Sequence, residues 1–401
     1  MYAEITAAQK KLIFYILFFI ALLMGMGIDS LTPSLPAIDL YFNVPSNITE
    51  LTVGLYMLGY ALGQIILGVL SDSFGRRKVV LIMGAMYVIL CLMAALSPNI
   101  YILIFCRFLQ GFAIAGPAVV TRAIATDCFS GLELSKAISF ISTSLALGLA
   151  LGPLIGPVVG SYLKQYISWQ ANFYFLALYA FGIFSYAAVT LEETHLDRAP
   201  FHLPYLLGML KKTSTHPLFL IYSILGAIFY SGLVVFNVIS PFLIQVDLHY
   251  SIIEYGNISL ILGLGFFGGN LLNQFLLRYI DPIRIIEIGI NGSVLTAFLM
   301  IALSFIAPFN LPVVVIPAFI LFFLSGMTFP NLMGASVRIF PEMGGTSSAV
   351  FGFFISVGVF IFSSLATLLS TRSEIGMFGM YLGMFVLSFI LFNISKRMNR
   401  G

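Results

Sequence analysis

The stretch Gly68-Val69-Leu70-Ser71-Asp72-Ser73-Phe74-Gly75-Arg76-Arg77-Lys78 decides how the chain reads. It separates two apolar runs, 49–71 and 79–97, each near the length of about 20 residues that a helix needs to cross a bilayer. Three consecutive basic residues mark it as a cytoplasmic loop. Asp72 stands at the C-terminal end of its run, where its charge opposes that helix's own dipole. It therefore needs a partner elsewhere: a cation, or the N-terminus of another helix. Gly68 and Gly75 permit a close approach and a tight turn.

Outward from this loop, apolar runs also cover 12–38, 100–125, 136–162 and 170–190. A polar segment, 191–217, contains Pro200 and Pro204. Six more runs follow: 218–244, 252–277, 284–307, 312–333, 345–370 and 377–395. The chain is thus expected to be an all-α membrane protein with twelve spans. They fall into an N-terminal six-helix bundle (1–190), a cytoplasmic central loop (191–217) and a C-terminal six-helix bundle (218–401). Composition agrees: 60% of residues are hydrophobic and 9% charged, against about 25% charged in soluble domains. The first run is too long for a leader's apolar core and lacks a small-residue cleavage site, so it reads as the first span.

The basic residues test the span count independently. With a cytoplasmic N-terminus, sixteen of the 19 Lys and Arg residues fall in cytoplasmic segments. Only Lys164 and Arg372 fall outside, and Arg107 lies within a span. Such asymmetry supports spans and orientation together, with both termini cytoplasmic. An error of one span would scramble the alternation.

Several function classes drop out. Cys91, Cys106 and Cys128 form no disulfide framework or metal-ligand pair, and the four His are dispersed. No nucleophile–base pair, metal cluster or phosphate loop is present, so no enzyme, metal or cofactor is expected. Nucleic-acid motifs are absent, and topology accounts for the net charge of +3.

The loop from Gly68 to Lys78 resembles the signature G-x-x-x-D-(R/K)-x-G-x-(R/K)-(R/K) of the major facilitator superfamily, with Ser73 replacing the usual base. The resemblance implies two pseudo-symmetric six-helix bundles. It also implies a latch of Gly68, Asp72, Gly75, Arg76 and Arg77, with Arg122 at the inner end of span four, closing the cytoplasmic side in the outward-open state. Asp72 would meet the start of span eleven at Gly344-Gly345-Thr346. The second half's counterpart, Gly268-Gly269-Asn270 to Arg278, keeps small residues and a base but no acid.

Three further runs carry mechanism. In span four, Arg107-Phe108-Leu109-Gln110-Gly111 places a cation inside the membrane, by default a functional feature. Two placements are open: snorkelling to the outer interface, or pairing with Asp29. The run resembles the superfamily's R-x-x-Q-G element of proton-coupled members. In span five, Gly148, Gly152, Pro153 and Gly156 form a small-residue stripe with a helix-loosening proline. They are similar to the antiporter signature, with Ser139 and Pro157 at its outer positions. In span one, Asp29 is the only carboxylate well within an apolar run, followed by Pro33 and Pro36. A carboxyl in apolar surroundings binds and releases protons nearer neutral pH than a solvated one, and a nearby cation opposes that shift. This D-x-x-x-P-x-x-P run resembles the bicyclomycin/chloramphenicol-resistance branch of drug:proton antiporters, though Leu31 stands where that branch often has an aromatic residue.

In span seven, Ser223, Tyr230 and Asn237 recur every seven residues, one helix face, with Phe229 and Phe236 beside them. An aromatic-walled cavity with few fixed polar groups would suit varied amphipathic substrates. Tyr56, Gln110, Thr328 and Asn331 are further cavity candidates. The resemblance implies an inner-membrane, proton-coupled multidrug exporter working by alternating access, with Asp29 and Arg107 as the coupling pair. It would act in the bilayer as a monomer, with protons as coupling ion. A dedicated metabolite or siderophore carrier, importing or exporting, is the alternative. A membrane sensor derived from this scaffold would be expected to carry an appended signalling domain.

Overall fold

The computed structural model describes residues 7–162, 169–194, 208, 211–308, 310–340, 344–369 and 374–398; within these, the side chains of 7–8, 131, 132, 135, 139, 150, 153–162, 344–346 and 369 lie outside the described set. Among the described residues the chain is helical, with no strand. The helices are α1 (Ala7–Asp29), α2 (Leu35–Phe42), α3 (Ser46–Phe74), α4 (Arg76–Ala95), α5 (Ile100–Cys128), α6 (Gly131–Tyr162) and α7 (Gln170–Thr190). They continue as α8 (Pro217–Pro241), α9 (Ile252–Leu276), α10 (Pro282–Ile306), α11 (Leu311–Val337), α12 (Gly344–Leu369) and α13 (Glu374–Met398).

Among the described residues, eleven spans are long and apolar enough to cross a bilayer. α1 and α2 share the first. The fifth expected span is α6, whose apolar stretch is described over Lys136–Leu149. The all-helical membrane architecture read from the sequence is the one observed.

Prolines set the irregular points. Pro33 lacks an N–H, and its ring would strike the carbonyl four residues back, that of Asp29. α1 ends at Asp29, a single 3-10 turn covers Thr32–Ser34, and α2 restarts with Pro36 in its first turn. The four-residue interval from Asp29 to Pro33 is therefore what puts the acid at a helix break. Beyond Pro241 the chain widens into a π-helical turn over Phe242–Asp247.

The chain divides into two compact units. One comprises residues Met1–Leu31 and Leu55–Leu206; within it α6 lies along α1, and α4 packs between α5 and α7. The other comprises Thr32–Gly54 and Leu207–Gly401; within it α8 packs on α11, α12 and α13, and α11 contacts both α9 and α10.

One helix crossing recurs in both units. In the first, a Cβ on Gly59 of α3 would land on the Phe108 carbonyl oxygen of α5, and a Cβ on Gly111 would land on that of Tyr56. In the second, Gly269 of α9 and Gly326 of α11 stand in the same relation to the Phe323 and Phe266 carbonyls. Each partner is an aromatic residue three places before a glycine on its own helix. Such reciprocal close approach is how small residues pack spanning helices. The repeat that looked faint in the second half's loop is thus plain at Tyr56/Gly59, Phe108/Gly111, Phe266/Gly269 and Phe323/Gly326.

Candidate functional site

The break at Asp29 gives the first unit a polar centre. A helix end leaves its last carbonyls without intrahelical partners. The Ser30 N–H donates to the Met26 carbonyl at 3.0 Å. Arg107, reaching from α5, takes up the next one: Nη1 and Nη2 both donate to the Gly27 oxygen at 3.3 Å. Nη1 also donates to Gln110 Oε1, one turn further along α5, at 3.1 Å. Gln110 Nε2 in turn donates to Cys91 Sγ on α4 at 3.4 Å. The Tyr56 ring covers the guanidinium, with Cζ 4.1 Å from the ring centroid.

Arg107 is fully buried, and Asp29 is 7% exposed. A cation at such depth is costly unless dipoles and ring faces answer it. Here a carbonyl, an amide and an aromatic face do so. The guanidinium turns inward and does not snorkel. Asp29, two residues beyond Gly27, lies within electrostatic range of both Arg107 and Tyr56. Gly27 leaves room for two phenols: a Cβ there would stand 2.8 Å from the Tyr87 hydroxyl and 3.0 Å from that of Tyr56.

The glycines of α6 abut this centre. A Cβ on Gly148 would strike the Leu22 carbonyl, and one on Gly25 would come within 2.5 Å of the Leu145 carbonyl. A Cβ on Gly152 would lie 3.2 Å from the Met26 carbonyl, one residue before Gly27. The stripe therefore packs on α1 immediately before the break. Pro153 and Gly156 continue along the α6 backbone, and their surroundings lie outside the described residues.

A second polar group assembles around the signature loop. Asp72 finds its cation on the next helix, pairing with Arg76. Arg76 Nη1 also donates to Ser71 Oγ at 2.6 Å, and its Nε donates to Asp127 Oδ2 of α5 at 3.3 Å. Arg77 Nη2 donates to the Ala188 carbonyl of α7 at 2.8 Å. Gly75 makes the turn with φ of +102°, a region that favours glycine. Gly68 faces Val119 across a close crossing. Arg122 stands within charge range of Tyr60 and joins none of the described ion pairs.

The remaining candidates lie in the second unit. Ser223, Tyr230, Phe236 and Asn237 of α8 are buried, as is every residue of α8 from Leu225 to Pro241. Tyr230 sits 5.5 Å from the Phe329 ring and Phe236 5.7 Å from that of Phe322. Thr328 Oγ1 donates to the Leu324 carbonyl at 2.7 Å and presses on Gly289 of α10. Asn331 Nδ2 donates to Asn273 Oδ1 of α9 at 2.7 Å and to the Met327 carbonyl at 2.9 Å. Both side chains thus serve helix-to-helix contacts.

Sequence reading overlooked several residues of these groups. Tyr87 and Cys91 lie one turn apart on α4, a polar pair within an apolar run that could have been flagged. Glu193, whose carboxylate accepts from the Arg76 backbone N–H at 2.8 Å, comes directly after the sixth span. Asp29 is also not the only buried acid: Glu50 and Glu374, near the starts of α3 and α13, are 3% and 1% exposed.

A sequence profile of the Major Facilitator Superfamily matches residues 17–363. The chain is 27% identical to an uncharacterized transporter of Rickettsia bellii, over 91% of this chain and 90% of that one. It is 25% identical to Multidrug resistance protein D of Escherichia coli, over 90% of each chain. The solved D-xylose-proton symporter shares its fold, with a TM-score of 0.76 at 15% identity over 95% of this chain and 97% of that one. So does the human organic anion transporter MFSD10, at 0.66 and 19% over 96% and 99%. A profile match over most of the chain, together with apolar helices of membrane-spanning length, makes this protein a member of the Major Facilitator Superfamily, a multi-pass membrane carrier of small molecules and not an enzyme.

Proposed function

We propose that this carrier is a proton-coupled antiporter of the bacterial inner membrane that exports small amphipathic molecules by alternating access, as a monomer with both termini cytoplasmic. The observation that carries the reading is the buried Arg107 at the α1 break, beside Asp29 and against the α6 glycine stripe. No cofactor beyond the proton is needed. The named multidrug relative supports the export of drugs.

In this mechanism the halves rock about a site near the bilayer midplane. With the cavity open outward, a periplasmic proton neutralises Asp29. That removes its attraction for Arg107 and for a cationic substrate, so substrate leaves and the carrier returns inward. On the cytoplasmic side, substrate binding and proton loss go together. Differential binding to the two states drives the shift. Gly152 and Pro153 let span five yield beside α1, and Asp72 with its loop holds the outward-open state.

The test is Asp29→Asn in proteoliposomes with an imposed proton gradient, screened over lipophilic cations, neutral antibiotics and siderophores. Gradient-driven transport should fall to background while substrate counterflow persists. Undiminished gradient-driven transport removes Asp29 from coupling, and activity confined to one siderophore or metabolite replaces the multidrug reading with a dedicated carrier.

A further inference from the structure

The first residues after α7 hold the signature loop in place. α4 begins directly after Gly75, which has no side chain with which to cap it. The first N–H groups of a helix lack intrahelical partners, and the helix dipole favours an anion there. Glu193, 117 positions further along the chain, supplies one: its Oε1 accepts from the Arg76 N–H at 2.8 Å. A Cβ on Gly75 would run into the same carboxylate. The next residue completes the grip, because Thr194 Oγ1 donates to Asp127 Oδ2 at 3.3 Å, the oxygen that also accepts from Arg76 Nε. Residues 193 and 194 thus hold both the backbone of Arg76 and the acid that orients its side chain. Arg76 in turn pairs with Asp72.

We propose that Glu193 and Thr194 are positioning residues through which the segment joining the two halves sets Arg76 and, through it, the Asp72 latch. The inference rests on the latch reading of Asp72. Glu193 makes the start of that segment a working part of the loop. Displacing it uncaps α4 and withdraws Thr194 from Asp127, the acid that orients the Arg76 side chain.

The experiment uses the full-length protein in lipid nanodiscs, comparing Glu193→Ala, Glu193→Gln and Asp72→Asn. Hydrogen exchange is read at the amides of residues 76–79, and spin-label distances are read across the halves. Glu193→Ala should speed exchange at 76–79 roughly fivefold to tenfold, the scale of a lost helix cap. It should also shift the distance distribution in the same direction as Asp72→Asn. Glu193→Gln keeps an acceptor oxygen and should restore most of the protection, a rescue that lost packing alone would not produce. Unchanged exchange in Glu193→Ala overturns the proposal. So does faster exchange with unmoved distances while Asp72→Asn moves them. If neither variant moves the distances, the latch reading falls, and the proposal falls with it; the Asp72→Asn arm identifies that case.

Discussion

Both terminal nitrogens of Arg107 donate to a single acceptor, the Gly27 carbonyl oxygen, at 3.3 Å each. The carbonyl belongs to the last turn of a helix that Pro33 forces to stop, so the proline creates the acceptor and α5 supplies the donor. Arg107 and its ring partner Tyr56 are set at one level by the crossing of α3 and α5 at Gly59 and Gly111. The second unit repeats the crossing with Phe266 and Phe323, and there Phe322 immediately precedes the aromatic where Arg107 does in the first. The charge is confined to one copy of a shared scaffold.

Replacing Arg107 by Lys should therefore not be conservative. An ammonium on a shorter stem cannot reproduce the forked donation and the stacking on Tyr56. Gradient-driven transport should fall by about tenfold or more, the scale of one lost charged hydrogen bond of about 1.5–3 kcal/mol. The check is initial rates in proteoliposomes, with the melting temperature of the purified protein measured alongside. Full activity in Arg107→Lys means that only charge matters at this position.

Gly148 and Gly182 make a matched pair. A methyl on Gly148 meets the α1 backbone at Leu22, whereas one on Gly182 meets nothing within 4 Å. Gly148→Ala should destabilise by about 1–3 kcal/mol, as overpacking does, and Gly182→Ala should stabilise by about 0.5–1 kcal/mol, the gain of Ala over Gly within a helix. Thermal unfolding of both variants in one detergent decides it. Equal effects would remove the close α1–α6 approach as the reason for the stripe.

The repeated crossing separates stability from coupling. Gly111→Ala and Gly326→Ala place a methyl on a facing carbonyl in equivalent ways, so both should lower the melting temperature by similar amounts. Only Gly111→Ala moves Tyr56 and Arg107. Protons exchanged per substrate should change in that variant alone, measured as pH change against labelled substrate flux.

One ion pair predicts a pH window. Lys10 Nζ donates to Glu133 Oε2 at 2.8 Å, and this hydrogen bond, with the charge behind it, holds the exposed Glu133 carboxyl below its usual value. A depressed carboxyl contributes stability that is fully present above its unfolded pKa of about 4.3 and is lost as pH falls through the folded value. Lys10→Gln should leave the dependence of melting temperature on pH unchanged between about pH 5 and 8, with a change in that dependence only in more acidic buffer. A constant offset is expected near neutral pH, and a change in the pH dependence there would place the effect of Lys10 elsewhere.

Local rules carried the sequence reading a long way. Hydrophobic length gave the spans, and the interval from Asp29 to Pro33 marked where the first one breaks. Arg107 stood out because a cation inside an apolar run is expensive. What stayed hidden depended on distant partners. Glu193 meets Arg76 across 117 positions, and Asn331 meets Asn273 across 58. The seven-residue stripe on α8 could not single out a face, because nearly all of that helix is buried and periodicity reports only the contrast between inside and outside. Thr328 looked available for substrate, yet its hydroxyl is satisfied by the carbonyl one turn back.

Asn331 gives the sharpest test of packing against substrate binding. Its amide donates to Asn273 and to the Met327 carbonyl, and both asparagines are buried, at 5% and 3% exposed. Removing one partner strands the other, at a cost of about 1–3 kcal/mol, whereas replacing both with apolar groups is nearly neutral. Asn331→Leu and Asn273→Leu should each lower the melting temperature, and the double variant should recover most of the loss. If the pair serves only α9–α11 packing, the double variant should also transport its substrates with an unchanged KM. A KM raised several-fold in the double variant, with stability restored, would instead put Asn331 in contact with substrate. The KM separates these outcomes, because recovery of stability reports the Asn331–Asn273 pair and is expected in both.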